Sequence, residues 1–102
     1  MKTVYHQRDP KEWQQFVTLL RQAVAEDKLT EFFELFLTAD ERGSLGLRTQ
    51  IVEHLLKNES SQREIQQKLN TSAATITRGS NMLKTLDPQF LNWVNEKLNG
   101  KA

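Results

Sequence analysis

The sequence predicts an all-α fold of six helices joined by short connections. Apolar residues recur at intervals of three and four, helix-start signals occur at four places, and no segment alternates apolar and polar residues as a half-buried strand does. The chain has 102 residues, of which 37 % are hydrophobic and 26 % are charged. This length and composition are ordinary for one globular domain, which we expect over residues 9–102.

The first two helices carry the most apolar part of the chain. Residues 1–8 lack periodicity and are predicted to form a flexible N-terminal arm. Asp9-Pro10 supplies an N-cap followed by Pro at the first helical position, so we expect α1 from about residue 10 to 26. We expect α2 over residues 29–37, LTEFFELFL, whose apolar side chains point in nearly every direction around a helix. Two chains packed together would cover such a helix better than one.

The third helix, α3, combines an apolar stripe with an arginine. A capping box, Thr38-Ala39-Asp40-Glu41, predicts its start, and we expect it to end near Lys57. Gly43 and Gly46 would either allow another helix to approach closely or be tolerated surface glycines. Arg48 falls near the centre of the stripe that is formed by Leu45, Ile51, Val52, Leu55 and Leu56. In such a position an arginine either extends to water or meets an aromatic face or an anion.

The next two helices are predicted to form a helix-turn-helix over about residues 62–85. The capping box Ser61-Gln62-Arg63-Glu64 starts α4, and Asn70 can adopt the left-handed conformation that ends it. We expect α5 from about residue 73 to 85. The side chains that would face inward are Ile65, Leu69, Ile76 and Leu83. A generic helical hairpin is the alternative to a helix-turn-helix here.

The outer face of α5 favours DNA as the partner of this pair. Its side chains are small or polar and could enter a major groove: Ala73, Ala74, Thr75, Thr77, Arg78 and Asn81. Residues 57–84 also hold five Lys/Arg against two Asp/Glu, although the whole chain has a net charge of only +1. An ordinary solvated surface would explain this local positive charge by itself. The charge therefore supports DNA binding only in combination with the helix-turn-helix.

The last helix, α6, is expected to begin at Asp87-Pro88, which repeats the signal at the start of α1. Its apolar face would consist of Phe90, Leu91, Val94 and Leu98. Gly100 would end it.

The composition argues against several classes of protein. The chain contains no cysteine, which excludes a disulfide framework and a thiolate nucleophile or metal site. Neither a signal peptide nor a long apolar run is present, so we expect a cytoplasmic protein. His6 and His54 are far apart and have no accompanying nucleophile or suitably spaced carboxylate, so we expect neither an enzyme nor a metal site.

Three blocks of the sequence closely resemble the Trp repressor family: LTADERGSLGLRTQIVEHLL (37–56), SQREIQQKL (61–69) and ATITRGSN (74–81). The resemblance runs from about Trp13 to Leu98. It implies two interlocked chains that form a homodimer, L-tryptophan as corepressor with no other cofactor, and a palindromic operator in double-stranded DNA. This family is itself a standard example of helix-turn-helix proteins whose half-sites lie about one helical turn apart.

By position, the resemblance implies a tryptophan site that is built from two chains. Arg48 and Arg78 would stack on the two faces of the indole, and Arg78 with Thr38 would meet the carboxylate. The main-chain carbonyls of Leu35 and Leu37 from the other chain would receive the ammonium group. Gly79 would let the ring approach α5, and Met82 would lie near the amino group.

The same resemblance implies a DNA-binding set. Arg63 would touch a guanine, the base edges would face Ala73, Ala74 and Thr75, and the phosphates would be met by Gln62, Thr77 and Lys84. Trp repressor is itself the standard example of base contacts made through water, so small residues on α5 need not reach bases directly.

The chain departs from the family pattern at two of these positions. Gln66 stands where the family often has a basic residue, which should remove about one phosphate contact, and Lys68 could compensate. Met82 stands where the family has a small hydroxyl residue. Losing that hydroxyl would weaken tryptophan binding by about 1 kcal/mol, unless contact between the thioether and the indole offsets the loss.

Two other functions are compatible with the same helices. One is a helix-turn-helix protein that binds DNA without a ligand, against which Arg48 and Thr38 argue. The other is a structural helical dimer that binds protein, with Phe33 and Phe36 on its surface. Mutation of Arg63 and Thr75 without loss of any function would favour the structural dimer.

Overall fold

A computed structural model describes residues 8–100, which form six α-helices and no strand. The helices are α1 (Pro10–Ala25), α2 (Leu29–Phe36), α3 (Ala39–Lys57), α4 (Gln62–Leu69), α5 (Ala73–Leu83) and α6 (Pro88–Asn99). The prediction of an all-α fold is confirmed, and every predicted helix end lies within two residues of the observed one. The predicted N-terminal arm lies, except for Arg8, outside the described residues, and the single domain over 9–102 stays a prediction. No helix within the described range is both long and apolar enough to cross a membrane.

The helices begin where the sequence predicts N-cap residues. Asp9 accepts a hydrogen bond from the Lys11 N–H, at 2.9 Å, ahead of Pro10. The capping box of α4 is complete, because Ser61 Oγ accepts from the Glu64 N–H at 3.1 Å and Glu64 Oε1 accepts from the Ser61 N–H at 2.8 Å. That hydrogen bond from the Ser61 backbone is the main reason why the pKa of Glu64 is lowered. Asp87 caps α6 by accepting a hydrogen bond from the Phe90 N–H at 3.3 Å, ahead of Pro88.

The chain divides into two compact units, one ending at Thr38 and the other beginning at Ala39. In the first unit α1 packs on α2 through aromatic rings. Phe16 lies with its ring centroid 5.3 Å from that of Phe32, and Phe32 is only 6 % exposed. Several large apolar side chains nevertheless remain open, namely Trp13 at 66 %, Val24 at 58 % and Leu35 at 74 % exposure. Trp13 and Val24 belong to α1 and Leu35 to α2, so both helices leave apolar surface exposed.

The second unit is organised around three isoleucines. Ile51 of α3, Ile65 of α4 and Ile76 of α5 are each at most 2 % exposed and pack together. α6 packs on α3, and the Asn99 side-chain amide donates a 3.1 Å hydrogen bond to the Glu53 carbonyl. The inward orientation predicted for Ile65 and Ile76 is therefore confirmed.

Left-handed residues follow three of the helices. Asn70 has φ 53°, as predicted from its position after α4. Asp27 with φ 59° and Asn58 with φ 57° do the same after α1 and α3. The sequence interpretation missed these two, although Asn and Asp are the residues, other than glycine, that tolerate this conformation best.

Candidate functional site

A cavity of about 620 Å³ lies within the second unit, between α3, α5 and α6. Apolar side chains form most of its wall, with Leu47, Ile51 and Val52 on one side and Phe90 and Val94 on another. Cavities of this size, lined mainly by apolar groups, are typical of small-molecule sites.

Two guanidinium groups reach this apolar cavity. Arg48 comes from the middle of α3 and Arg78 from the second turn of α5. Among the described residues no Asp or Glu lines the cavity, and neither arginine forms an ion pair or hydrogen bond within residues 8–100. Guanidinium groups bind carboxylates by charge-assisted hydrogen bonds and stack on aromatic rings. The cavity therefore suits a ligand with an apolar aromatic body and a negative charge.

Met82 lines the cavity one helical turn after Arg78 and is 58 % exposed. Its thioether is a polarizable apolar group that can contact an aromatic ring but is a poor partner for an ammonium group. The wall near α5 thus offers a cationic and an apolar contact side by side.

Gly79 allows close packing of two helices, a role that the sequence did not reveal and that is separate from the ligand contact predicted for it. A Cβ built at this position would lie 3.0 Å from Ile51 Cγ2 and 3.7 Å from Leu55 Cδ1. The missing side chain therefore allows α5 to pack closely on α3, independently of any ligand. By contrast, a Cβ at Gly43 or Gly46 would meet no atom of the described chain within 4 Å.

Thr75 lines the same cavity, whereas the sequence placed it only on the DNA-facing side. It is half-buried, and its hydroxyl lies 2.8 Å from Ser72 Oγ. Ser72 is the N-cap of α5 and accepts a 3.1 Å hydrogen bond from the Thr75 N–H. The pattern Ser-x-x-Thr at the start of a helix could have identified this cap from the sequence.

The contribution of α6 to the cavity was also missed. The periodicity predicts an apolar face for this helix that includes Phe90, Leu91 and Val94, and the structure places all three on the cavity wall. Periodicity shows that such a face is buried but not against which helix, so no local signal could have placed it here.

Three of the predicted ligand residues belong to the first unit. Leu35 is in the last turn of α2, and Leu37 and Thr38 follow that helix. Leu37 has extended backbone angles and caps α2 through its N–H, which donates to the Phe33 carbonyl. The contacts expected for Leu35 and Leu37 involve a second chain, and these contacts and the one expected for Thr38 stay predictions.

The predicted DNA-binding residues share the exposed surface of α4 and α5. Exposed side chains are Gln62, Arg63, Ala73, Ala74, Thr77 and Lys84, and only Thr75 is half-buried. The Gln62 side-chain amide donates to Ser80 Oγ at 3.3 Å, which links the start of α4 to α5. Lys68 Nζ donates to Ser60 Oγ at 3.1 Å. Arg63 forms no ion pair or hydrogen bond within the described residues.

Comparison with known proteins decides the family. The sequence model described as "Trp repressor protein" matches residues 11–98. The chain belongs to the Trp repressor family. A Trp operon repressor homolog of Pasteurella multocida (strain Pm70) is 56 % identical over 99 residues, which cover 97 % of each chain. A homolog of Haemophilus influenzae (strain PittEE) is 54 % identical over 95 residues, 93 % of this chain and 94 % of the other.

A third homolog, from Histophilus somni (strain 2336), is 52 % identical over 96 residues, 94 % of this chain and 91 % of its own. Together these matches confirm the resemblance that was inferred from the three sequence blocks. This member of the Trp repressor family is thus a transcriptional repressor.

Proposed function

We propose that the chain represses transcription as a homodimer that binds a palindromic DNA operator when L-tryptophan occupies the cavity as corepressor. One observation carries the proposal. A single short helix, α5, places Arg78 on the wall of an apolar cavity and Ala73, Ala74 and Thr77 on exposed surface. A ligand that holds α5 from the cavity side would fix the side that meets DNA. We expect the protein to act in the cytoplasm, where its operator lies.

The chemistry of the cavity supports tryptophan as the ligand. The indole would pack on apolar walls such as Val52 and against the guanidinium groups of Arg48 and Arg78. The carboxylate would bind a guanidinium, for which Arg78 is the expected partner. No carboxylate side chain of the described residues is available in the cavity for the ammonium group. Main-chain carbonyls of Leu35 and Leu37 from a second copy are the proposed acceptors.

The apolar surface of the first unit supports a dimer. Trp13, Val24 and Leu35 are each more than half exposed, and among residues 8–38 only Ala23 and Phe32 are buried. Two buried side chains do not make a hydrophobic core for this described part of the first unit. A second copy would bury these side chains and also complete the ligand site. Sedimentation equilibrium should give a dimer, and a stable monomer at micromolar concentration would contradict this part.

The exposed surface of α4 and α5 supports DNA binding. The N-terminal residues of the second helix of such a pair enter the major groove, and here these are Ala73 and Ala74. Arg63 and Lys84 are exposed cations on the two helices, in position to contact a base edge or phosphates. Affinity for the operator should therefore fall steeply with salt.

Two measurements test the proposal together. Titration calorimetry with L-tryptophan should show binding to the wild-type chain and strongly reduced binding to Arg78→Ala. Arg42→Ala removes an exposed cation of α3 that does not line the cavity, and it should bind tryptophan normally. A gel shift against a palindromic operator library should show a shift that depends on tryptophan.

The outcomes separate the alternatives. No binding of tryptophan to the wild-type chain, with DNA affinity independent of it, would replace the corepressor mechanism by a ligand-independent one. No DNA binding under either condition would contradict the proposed operator function altogether.

A further inference from the structure

The N-cap of α5 connects the ligand cavity to the part of the helix that is proposed to meet DNA. Ser72 forms two hydrogen bonds with the same residue: it accepts from the Thr75 N–H at 3.1 Å, and its Oγ lies 2.8 Å from Thr75 Oγ1. Ser72 does not line the cavity, whereas Thr75 does. Ala73 and Ala74 lie between them in the sequence and form the first turn.

We propose that Ser72 is a positioning residue that transmits occupancy of the cavity to the first turn of α5, through its hydrogen bonds with Thr75. This inference rests on the proposed function, because it takes L-tryptophan as the occupant. It concerns a residue that neither the ligand nor the predicted DNA contacts involve directly.

The rotamer of Thr75 determines whether its hydroxyl group reaches Ser72. A threonine in a helix has two accessible χ1 rotamers, since its hydroxyl can bond to different groups of the preceding turn. In the observed rotamer the hydroxyl is bonded to Ser72, and rotation to the other well would carry it away. A ligand packed against Thr75 restricts this rotation. The bond to Ser72 then forms in a larger fraction of molecules.

Exclusion of water by the ligand would also strengthen the hydrogen bonds between Ser72 and Thr75. The Ser72 and Thr75 bonds are exposed to solvent, and water competes with them. A ligand that fills the cavity removes water from the Thr75 side, and hydrogen bonds are stronger where the local dielectric constant is lower. The cap holds the first turn of α5, so a stronger cap fixes Ala73 and Ala74 more firmly.

Coupling of this kind must be reciprocal. If ligand binding strengthens the bonds at Ser72, then removing those bonds must weaken ligand binding, even though Ser72 lies outside the cavity. A cap whose hydrogen bonds were equally strong in the free and the bound chain would leave ligand affinity unchanged. Tryptophan affinity therefore distinguishes the two roles.

The experiment measures L-tryptophan affinity by titration calorimetry on the full-length dimer. Ser72→Ala should bind more weakly than wild type, by at most about fivefold, which corresponds to one net hydrogen bond. Thr75→Val, which keeps the shape and removes the hydroxyl, should weaken binding as well. Because both changes break the bond between the two hydroxyl groups, the loss of affinity in the double variant should be smaller than the sum of the two single losses. Ser72→Thr keeps the capping hydroxyl and should restore nearly normal affinity.

Ser61→Ala is the matched control. It removes the equivalent N-cap serine from α4, which is outside the cavity. It should lower stability and leave tryptophan affinity unchanged.

Each outcome decides something specific. Wild-type affinity in Ser72→Ala, or independent effects of Ser72→Ala and Thr75→Val, would overturn the positioning role and leave the proposed function intact. Equal weakening in Ser61→Ala would overturn it too, since any lost cap would then suffice. If the wild-type chain binds no tryptophan, the corepressor proposal fails, and the role of Ser72 fails with it.

Discussion

Substituting Gly79 by alanine tests whether close packing of α5 on α3 requires a glycine. The new Cβ would lie 3.0 Å from Ile51 Cγ2, which is closer than two carbon atoms normally approach. Ile51 has little freedom to move away, because it is 2 % exposed and packs against Ile65 and Ile76. Its Cγ2 is bonded directly to its β-carbon, so no flexible side-chain end can absorb the contact. The two helices must therefore separate slightly.

The expected magnitude is the difference between two opposing terms. Overpacking in a filled core costs about 1–3 kcal/mol. Alanine in place of glycine in a helix interior returns about 1 kcal/mol. The net result is a loss of about 1 kcal/mol in the free energy of unfolding. This is a measurable share of the total stability of a small domain.

Gly43→Ala is the matched control in α3. A Cβ there would meet no atom of the described chain within 4 Å, so only the gain in helix propensity remains, about 1 kcal/mol. The two variants should then differ by about 2 kcal/mol. In urea denaturation this is a separation of midpoints of about 1 M, for a denaturant dependence of about 2 kcal/mol per M.

Protein concentration must be held constant in this comparison, because the stability of the proposed dimer would depend on it. A midpoint for Gly79→Ala that equals or exceeds that of Gly43→Ala would refute the packing argument. It would mean that the glycine serves only ligand access or has no structural role.

Three further predictions concern the ligand, pH and DNA. Met82→Ser should strengthen L-tryptophan binding about fivefold by supplying a partner for the ammonium group. It should not strengthen binding of indole-3-propionate, which lacks that group. Calorimetry with both ligands checks this. The lowered pKa of Glu64 means that its bond to Ser61 adds stability above the ordinary glutamate pKa, which is lost as the pH falls through the lower folded value. Thermal unfolding against pH should show this loss in wild type and a smaller one in Glu64→Gln. Lys84→Ala should reduce the magnitude of the slope of log affinity for operator DNA against log salt by about 0.9 per chain. Gln66→Lys should increase that magnitude by about as much. Equal slopes in the two variants would contradict these phosphate assignments.

The helices were predictable because their ends are determined locally. Asp9 and Asp87 each precede a proline and each cap a helix in the structure, and Ser61 with Glu64 forms the complete box. These signals involve residues at most three positions apart, so a single sequence contains all the information. The same holds for Asn70, whose left-handed conformation ends α4.

The cavity was predictable only in part. Arg48 was conspicuous because it interrupts an apolar stripe, and the family resemblance paired it with Arg78; the structure places both on one cavity. That Phe90 and Val94 of α6 complete the wall depends on how α6 packs against α3. Such a contact joins positions more than 35 residues apart, as the Glu53 and Asn99 hydrogen bond illustrates. Periodicity identifies a buried face but not its partner.

The composition of α5 explains how a ligand can control it. Thr, Ser, Gly and Asn make up much of this helix, and they favour it less than Ala or Leu would. α5 packs on the rest of the second unit through the buried Ile76, the close approach at Gly79 and the hydrogen bond from Gln62 to Ser80, and Ser72 caps its first turn. Because the helix propensity of α5 is low, additional contacts can change the population of its ordered state. Tryptophan bound between Arg48 and Arg78 would add such contacts on the cavity side. We expect a more stable α5 to bind DNA with or without the ligand, so the low helix propensity of α5 supports the proposed regulation by a corepressor.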